Sequence, residues 1–184
     1  MHTRLLDEET AYTGAQLRSR WIAEVAGLAG DAAIAFLGPC DVAPEHMVDL
    51  EDLAAGAKIW SRRMLHFIAE HADADLGRAA LRQRLLVVVT DECLRARGCA
   101  GLRRSGDDLF WQGRKLSVSI ATTSPTSGLI HLGLNVVAEG APVPAAELSE
   151  LGVDAGELAE AVMAAYAAEV ESIAAAQRKA RPVE

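Results

Sequence analysis

The sequence has 184 residues, 51% apolar and 24% charged, with 18 Lys and Arg against 26 Asp and Glu and a net charge of −8. Its mean hydropathy is +0.13. These values exclude a globally basic nucleic-acid binder and wholesale disorder, and they predict one domain over residues 1–184 with a core of its own. No apolar run approaches the ~20 residues of a membrane span, and MHTRLLDEETAYTG has no apolar stretch like a secretory signal. A cytoplasmic protein with neither a membrane nor a nucleic-acid partner is therefore expected. Cys40, Cys93 and Cys99 are odd in number and irregularly spaced, so they form neither a disulfide framework nor a CxxC zinc site.

In chain order, Leu17, Trp21 and Val25 recur every four residues, which predicts a helix over 14–27 ending at Gly27. AAIAFLG (32–38) reads as a buried strand stopped by Gly38-Pro39. Leu53, Ala57, Trp60, Met64, Phe67 and His71 form a stripe that predicts a helix over 50–72, with Asp49 as N-cap. A second helix is predicted over 78–97, although its β-branched centre LLVVV also suits a buried strand. Alternating, β-branched segments over 108–138 predict antiparallel strands, APVPAA (141–146) a loop, and the Ala-rich 155–178 a final helix before a frayed tail over 179–184. Helices and an antiparallel sheet segregated along the chain indicate an α+β fold.

The densest polar stretch runs from Arg103 to Asp108 and continues to Arg114-Lys115 across a short hairpin. The paired carboxylates Asp107 and Asp108, with Arg104 and Lys115 near them, suit an anionic ligand sharing Mg²⁺. The same pattern also describes a polar hairpin beside a helix C-terminus rich in arginine. Strand alternation predicts that Ser117 and Ser119 share a face with Lys115. Cys40, after Gly-Pro at a strand end, is the candidate nucleophile; its alternative reading is a small buried hydrophobe. His46, Asp49, Glu51 and Asp52 are either a base or metal group or the acidic entrance of a helix. His66 and His71 read as packing or solvated residues. Asn135 suits a polar ligand contact or a buried hydrogen bond.

RRSGDDLFWQGRKLSVSIATTSPTSGLIHLGLNV resembles the core of the biotin protein ligase, lipoate ligase and octanoyltransferase superfamily. The matching residues are Asp107-Asp108-Leu109, Gly113-Arg114-Lys115-Leu116-Ser117 and His131-Leu132-Gly133-Leu134-Asn135-Val136. Residues 12–153 as a whole, with GDAAIAFLGPCDV, MVDLED, MLHFI, LRQRLL and KLSVSIAT, resemble the domain-of-unknown-function family numbered 366.

The resemblance implies a mixed, largely antiparallel sheet flanked by helices, of the class II synthetase and biotin-lipoate ligase type. It implies that Lys115 contacts the acyl carbonyl, where an ammonium stabilises developing charge, and that His131 faces the substrate. Three departures stand out. Val118 replaces a superfamily glycine. GDAAIAFLGPCDV replaces the Gly- and Arg-rich loop that holds ATP, which speaks against ATP. No cysteine follows residue 99, where the octanoyltransferase nucleophile would lie. The expected function is acyl transfer or acyl activation on a small acyl or carboxylate ligand, with an acyl-carrier or other acceptor protein as partner. The alternative is a non-catalytic ligand-binding or interaction protein that kept the fold.

Overall fold

The computed structural model describes residues 1–183. Its centre is β3 (Ile59–His71), a strand buried along both faces from Met64 onward. On either side lie β2 (Ala32–Val42) and β8 (Gly128–Val137), both antiparallel to it. The outer strands are β1 (His2–Leu5), parallel to β2, and β7 (Ser117–Thr123), antiparallel to β8, giving the order β1-β2-β3-β8-β7. A small second sheet is formed by β4 (Leu102–Ser105), β5 (Asp108–Trp111) and β6 (Arg114–Lys115).

Alternation along these strands creates two cores. One face of the large sheet presents Leu65, Phe67, Ile130, Leu132 and Leu134 to α3 (Leu76–Ala96) and α4 (Ala155–Lys179). Leu86, Val87, Leu158, Val162 and Tyr166 answer from the helices. The other face presents Ile34, Phe36, Met64 and Ile68 to Tyr12, Leu17, Trp21 and Ile22 of the N-terminal segment. Full burial of each large side chain contributes ~1.5–3 kcal/mol. This N-terminal cover extends over only part of the second face, and the cleft opens beyond it.

The predicted helix over 50–72 is the main correction. A short helix α2 (Leu50–Ala55) stops at Gly56, whose φ of +61° supplies the left-handed cap, and the chain then enters β3. A central strand is apolar on both faces, so its residues also fit a helical stripe. Met64 and Phe67 of the expected stripe lie in opposite cores. The helix predicted over 14–27 is reduced to α1 (Trp21–Ala26), after Arg20 at φ +66°. The strand predicted over 32–38 runs on to Val42 through a register shift between Gly38 and Cys40. The LLVVV segment is helical within α3. Strands β1 and β4 have no counterpart in the sequence reading. Of the expected tail, Lys179 ends α4, residues 180–183 are exposed without regular structure, and Glu184 lies outside the described residues. No described helix is long and apolar enough to cross a membrane.

Candidate functional site

The N-terminal segment reaches the site over Gly38. A Cβ at that residue would lie 2.0 Å from the Thr10 carbonyl oxygen, so only glycine admits the crossing. Thr10 N–H donates to the Leu37 carbonyl, Tyr12 N–H to that of Pro39, and Asp41 N–H to that of Tyr12. These bonds hold Tyr12 against the sheet. Beyond it opens a cleft of about 390 Å³. Its floor carries Met64, Val118, Ile120, His131 and Asn135, and its walls include Asp49, Lys58, Trp60, Asp108, Lys115 and Val143.

Lys115 and Asp108 are brought together by the β5–β6 hairpin, in which Lys115 pairs with Phe110. Lys115 Nζ lies 2.9 Å from Asp108 Oδ2, both side chains being about a quarter to a third exposed. Burial pushes the Asp108 carboxyl above its ordinary value, against the lowering effect of the Lys115 hydrogen bond. Asn135 ties this hairpin to the large sheet: its Nδ2 donates to the Lys115 carbonyl at 3.3 Å, and its Oδ1 accepts from Ser61 Oγ at 3.1 Å.

Deeper in the cleft, the His131 ring stacks on Tyr12 with centroids 3.8 Å apart and planes 6° from parallel. His131 Nε2 lies 3.0 Å from His66 Nδ1, and His66 Nε2 lies 3.3 Å from the Gly38 carbonyl oxygen. Burial pushes His66 down to about 4 and His131 well below its ordinary value, so both rings are neutral at pH 7.

Of the residues singled out in the sequence, Lys115, Asp107, Asp108, Ser119, His131 and Asn135 all line this cleft. Cys40, Arg104 and Ser117 do not. Cys40 is fully buried in the core of the second face, where burial pushes its thiol up to about 12, a state unsuited to a nucleophile. The Gly38-Pro39 turn expected to expose it is instead the bulge within β2. Arg104 is exposed on β4, and its guanidinium donates to the Gly106 carbonyl. Ser117 is buried, its Oγ accepting the Leu109 N–H at 2.8 Å. The shared face predicted for Lys115, Ser117 and Ser119 is broken at Leu116, where the chain passes from the small sheet to the large one.

Both carboxylates of the acidic pair meet cations of the protein itself. Asp107 Oδ1 meets Arg84 at 3.1 Å, and its Oδ2 accepts from Gln83 Nε2 at 2.9 Å, while Asp108 is held by Lys115. Ser119 Oγ accepts from Gln83 Nε2 at 2.8 Å and donates to the Asp107 carbonyl at 3.0 Å. No described group of three His, Cys, Asp or Glu is arranged to hold a metal. Mg²⁺ shared with an anionic ligand, as expected from the sequence, would have to displace Arg84 or Lys115 from these carboxylates. The segment in place of an ATP loop does not fit a triphosphate. It is strand β2, paired with β1 and β3 and crossed by residues 10–12, rather than a turn with free amides.

Tyr12 is a cleft residue that the sequence does not reveal, and His66 is a buried support of the cleft residue His131 rather than the packing or solvated residue expected. No local motif marks Tyr12. The helical stripe over 50–72 makes His66 a helix residue, whereas strand alternation places it opposite Gly133 on the cleft side of the sheet. His46, Asp49 and Asp52 also line the cleft. Asp49 caps α2 by accepting the Glu51 and Asp52 amides at 2.8 and 3.0 Å, in keeping with the acidic helix entrance.

A helix-flanked mixed sheet with an attached small sheet and a cleft on its other face defines an α+β protein of the biotin- and lipoate-ligase-like fold. The biotin protein ligase of Aquifex aeolicus, solved as a point mutant in complex with biotin, has a TM-score of 0.59 and 17% identity, over 93% of this chain and 70% of that one. A candidate lipoate protein ligase of T. acidophilum with bound lipoic acid has a TM-score of 0.60 and 16% identity, over 93% and 86%.

The chain belongs to the family described as Domain of unknown function (DUF366), which it matches over residues 1–181. It is similar to a protein of unknown function from Pyrococcus horikoshi, with a TM-score of 0.95 and 38% identity over 100% of this chain and 99% of that one. It is also 35% identical over 179 residues to an uncharacterised protein of Methanocaldococcus jannaschii, covering 94% of this chain and 80% of that protein.

Proposed function

We propose that the cleft binds a small carboxylate or acyl ligand, with Lys115 at the carboxylate or carbonyl end, and that the protein acts in acyl transfer or acyl activation. The observation that carries this reading is the Lys115 ammonium on the cleft wall, held by one carboxylate oxygen, on a residue whose backbone carbonyl is tied to the floor through Asn135. A positioned ammonium in a partly dewatered cleft stabilises an oxyanion more strongly than it would in water. The acyl acceptor, a carrier protein or another nucleophile, comes from outside the chain. The biotin and lipoic acid bound by the structural neighbours support the ligand class.

A second reading, ligand binding without reaction, is favoured by one observation: no cysteine lines the cleft. Acyl chemistry here would therefore proceed by direct transfer to the acceptor, without a cysteine acyl-enzyme.

Calorimetric titration of wild type, Lys115→Ala and Lys115→Arg with octanoate and with an octanoyl thioester tests the proposal. Both variants are expected to fold and to lose about tenfold or more in affinity, because a charge-assisted contact contributes ~1.5–3 kcal/mol and an arginine fork does not reproduce a compact ammonium. Undiminished binding by Lys115→Ala would overturn the assignment. Binding without release of thiol from the thioester, in the presence of amine and thiol acceptors, would favour the non-catalytic reading.

A further inference from the structure

The two buried histidines fix each other's protons. The Gly38 carbonyl can only accept, so the His66 Nε2 facing it carries the hydrogen. A neutral His66 then offers a lone pair at Nδ1, and the His131 Nε2 beside it must be the donor. A neutral His131 that donates from Nε2 is left with a lone pair at Nδ1. That atom has no protein partner. Asp91 Oδ1 is the one buried side-chain polar atom left unpaired among the described residues, so His131 Nδ1 owes its lack of a partner to being open to the cleft. His131 itself is only 3% exposed, stacked under Tyr12, which fixes the ring plane and hence the direction of the lone pair. The Tyr12 hydroxyl makes no side-chain hydrogen bond among the described residues, and Tyr12 lines the same cleft.

The acceptor and Lys115 enter the cleft from different elements. His131 lies on the floor on β8, four residues (about 13 Å of strand) from the Asn135 that holds the Lys115 backbone, while the Lys115 ammonium is held on the wall by Asp108. Gly133 lies between them, where a Cβ would come within 2.9 Å of Met64 Cε, so the floor between the two polar ends is kept low and apolar.

We infer that the His131 Nδ1 lone pair, set by the Gly38–His66–His131 chain, selects ligands that carry a neutral N–H or O–H donor at the end remote from the carboxylate or acyl group. The cleft thus takes a functionalised acyl ligand in preference to a plain alkyl chain. The inference rests on the carboxylate reading above for the other end of the ligand. The cost of failing to fill a buried acceptor supplies the discrimination: an ether or methyl at that place strands the lone pair without water, whereas a hydroxyl or amide satisfies it.

Two measurements test it. Long-range ¹H–¹⁵N correlation of the imidazoles in the free protein reads the tautomers directly. Both His66 and His131 are expected as Nε2–H forms, and an Nδ1–H His131 would overturn the inference whatever the ligand. Titration with octanoate, 8-hydroxyoctanoate and 8-methoxyoctanoate reads the selection. The hydroxy acid is expected to bind about fivefold or more tightly than the methoxy acid. His131→Phe, which keeps a ring under Tyr12 without an acceptor, should abolish that ratio. Equal binding of the hydroxy and methoxy acids by wild type overturns the selection while leaving the Lys115 reading intact. A hydroxy preference that persists in Lys115→Ala at undiminished affinity overturns the Lys115 reading and leaves the selection standing. Failure of all three acids to bind overturns both.

Discussion

Lys115 and Asp108 form an ion pair in which the carboxyl still titrates high. The ammonium lies 2.9 Å from Oδ2, and burial nonetheless raises Asp108 above its ordinary value. The lysine hydrogen bond is the largest influence keeping the carboxylate charged. Lys115→Met should therefore push the Asp108 carboxyl higher still, read by its ¹³C shift across a pH titration. An unchanged or lower midpoint would mean that the pair is not formed in solution.

Thiol reactivity should rank the three cysteines by accessibility. Cys93 is partly exposed, while Cys40 and Cys99 are buried. Burial holds the Cys40 thiol at about 12, which leaves a negligible thiolate fraction near neutral pH. Iodoacetamide followed by peptide mass spectrometry should modify Cys93 first and Cys40 only on unfolding. Rapid native labelling of Cys40 would restore it as a candidate nucleophile.

Gly38→Ala should destabilise the protein by about 1–3 kcal/mol, the usual cost of overpacking. Its Cβ would meet Thr10 backbone atoms rather than a side chain that can turn away. For a chain of this length that corresponds to a fall in Tm of roughly 2–12 °C. The displaced segment carries Tyr12, so ligand affinity should fall as well. A melting curve identical to wild type would show that residues 10–12 do not cross β2 as described.

Acid should weaken the fold through its histidines before most carboxylates titrate. An unfolded histidine takes up a proton near pH 6.5, whereas His66 resists until about 4 and His131 to lower pH still. Between those values the unfolded chain binds more protons, so stability falls as pH falls. The slope approaches ~1.4 kcal/mol per pH unit for each such histidine at its steepest. Urea unfolding at neutral pH and at successively more acidic values should show the decline, and His66→Phe should lessen it. Constant stability over that interval would contradict buried, neutral rings.

Removing the Tyr166 hydroxyl should also be costly. It lies 2.9 Å from His71 Nε2 in the core between α4 and β3. Tyr166→Phe leaves a buried ring nitrogen unpaired, at about 1–3 kcal/mol. Chemical denaturation of the variant measures it, and a neutral result would show that water or another group reaches His71.

Much of the polar end of the cleft is legible in the sequence because it is local. Asp108 and Lys115 are joined by a short hairpin whose turn residues, Gln112-Gly113, are recognisable in sequence, and their meeting follows from strand pairing alone. The meander from β5 to β8 and the helices α3 and α4 are likewise set by local pattern and propensity. What tertiary structure decided lies where residues distant in the chain compete for one place. β3 passes for a helix until β2 and β8 bury both of its faces. Cys40 passes for a nucleophile until the N-terminal segment covers it. The acidic pair passes for two free carboxylates until α3 brings Gln83 and Arg84 to Asp107. The acceptor at His131 needs Gly38, His66 and Tyr12 from three separate segments. Period and propensity describe how a residue sits on its own element. They carry no information on which other element arrives opposite it, and desolvation, proton placement and charge neutralisation depend on that arrival.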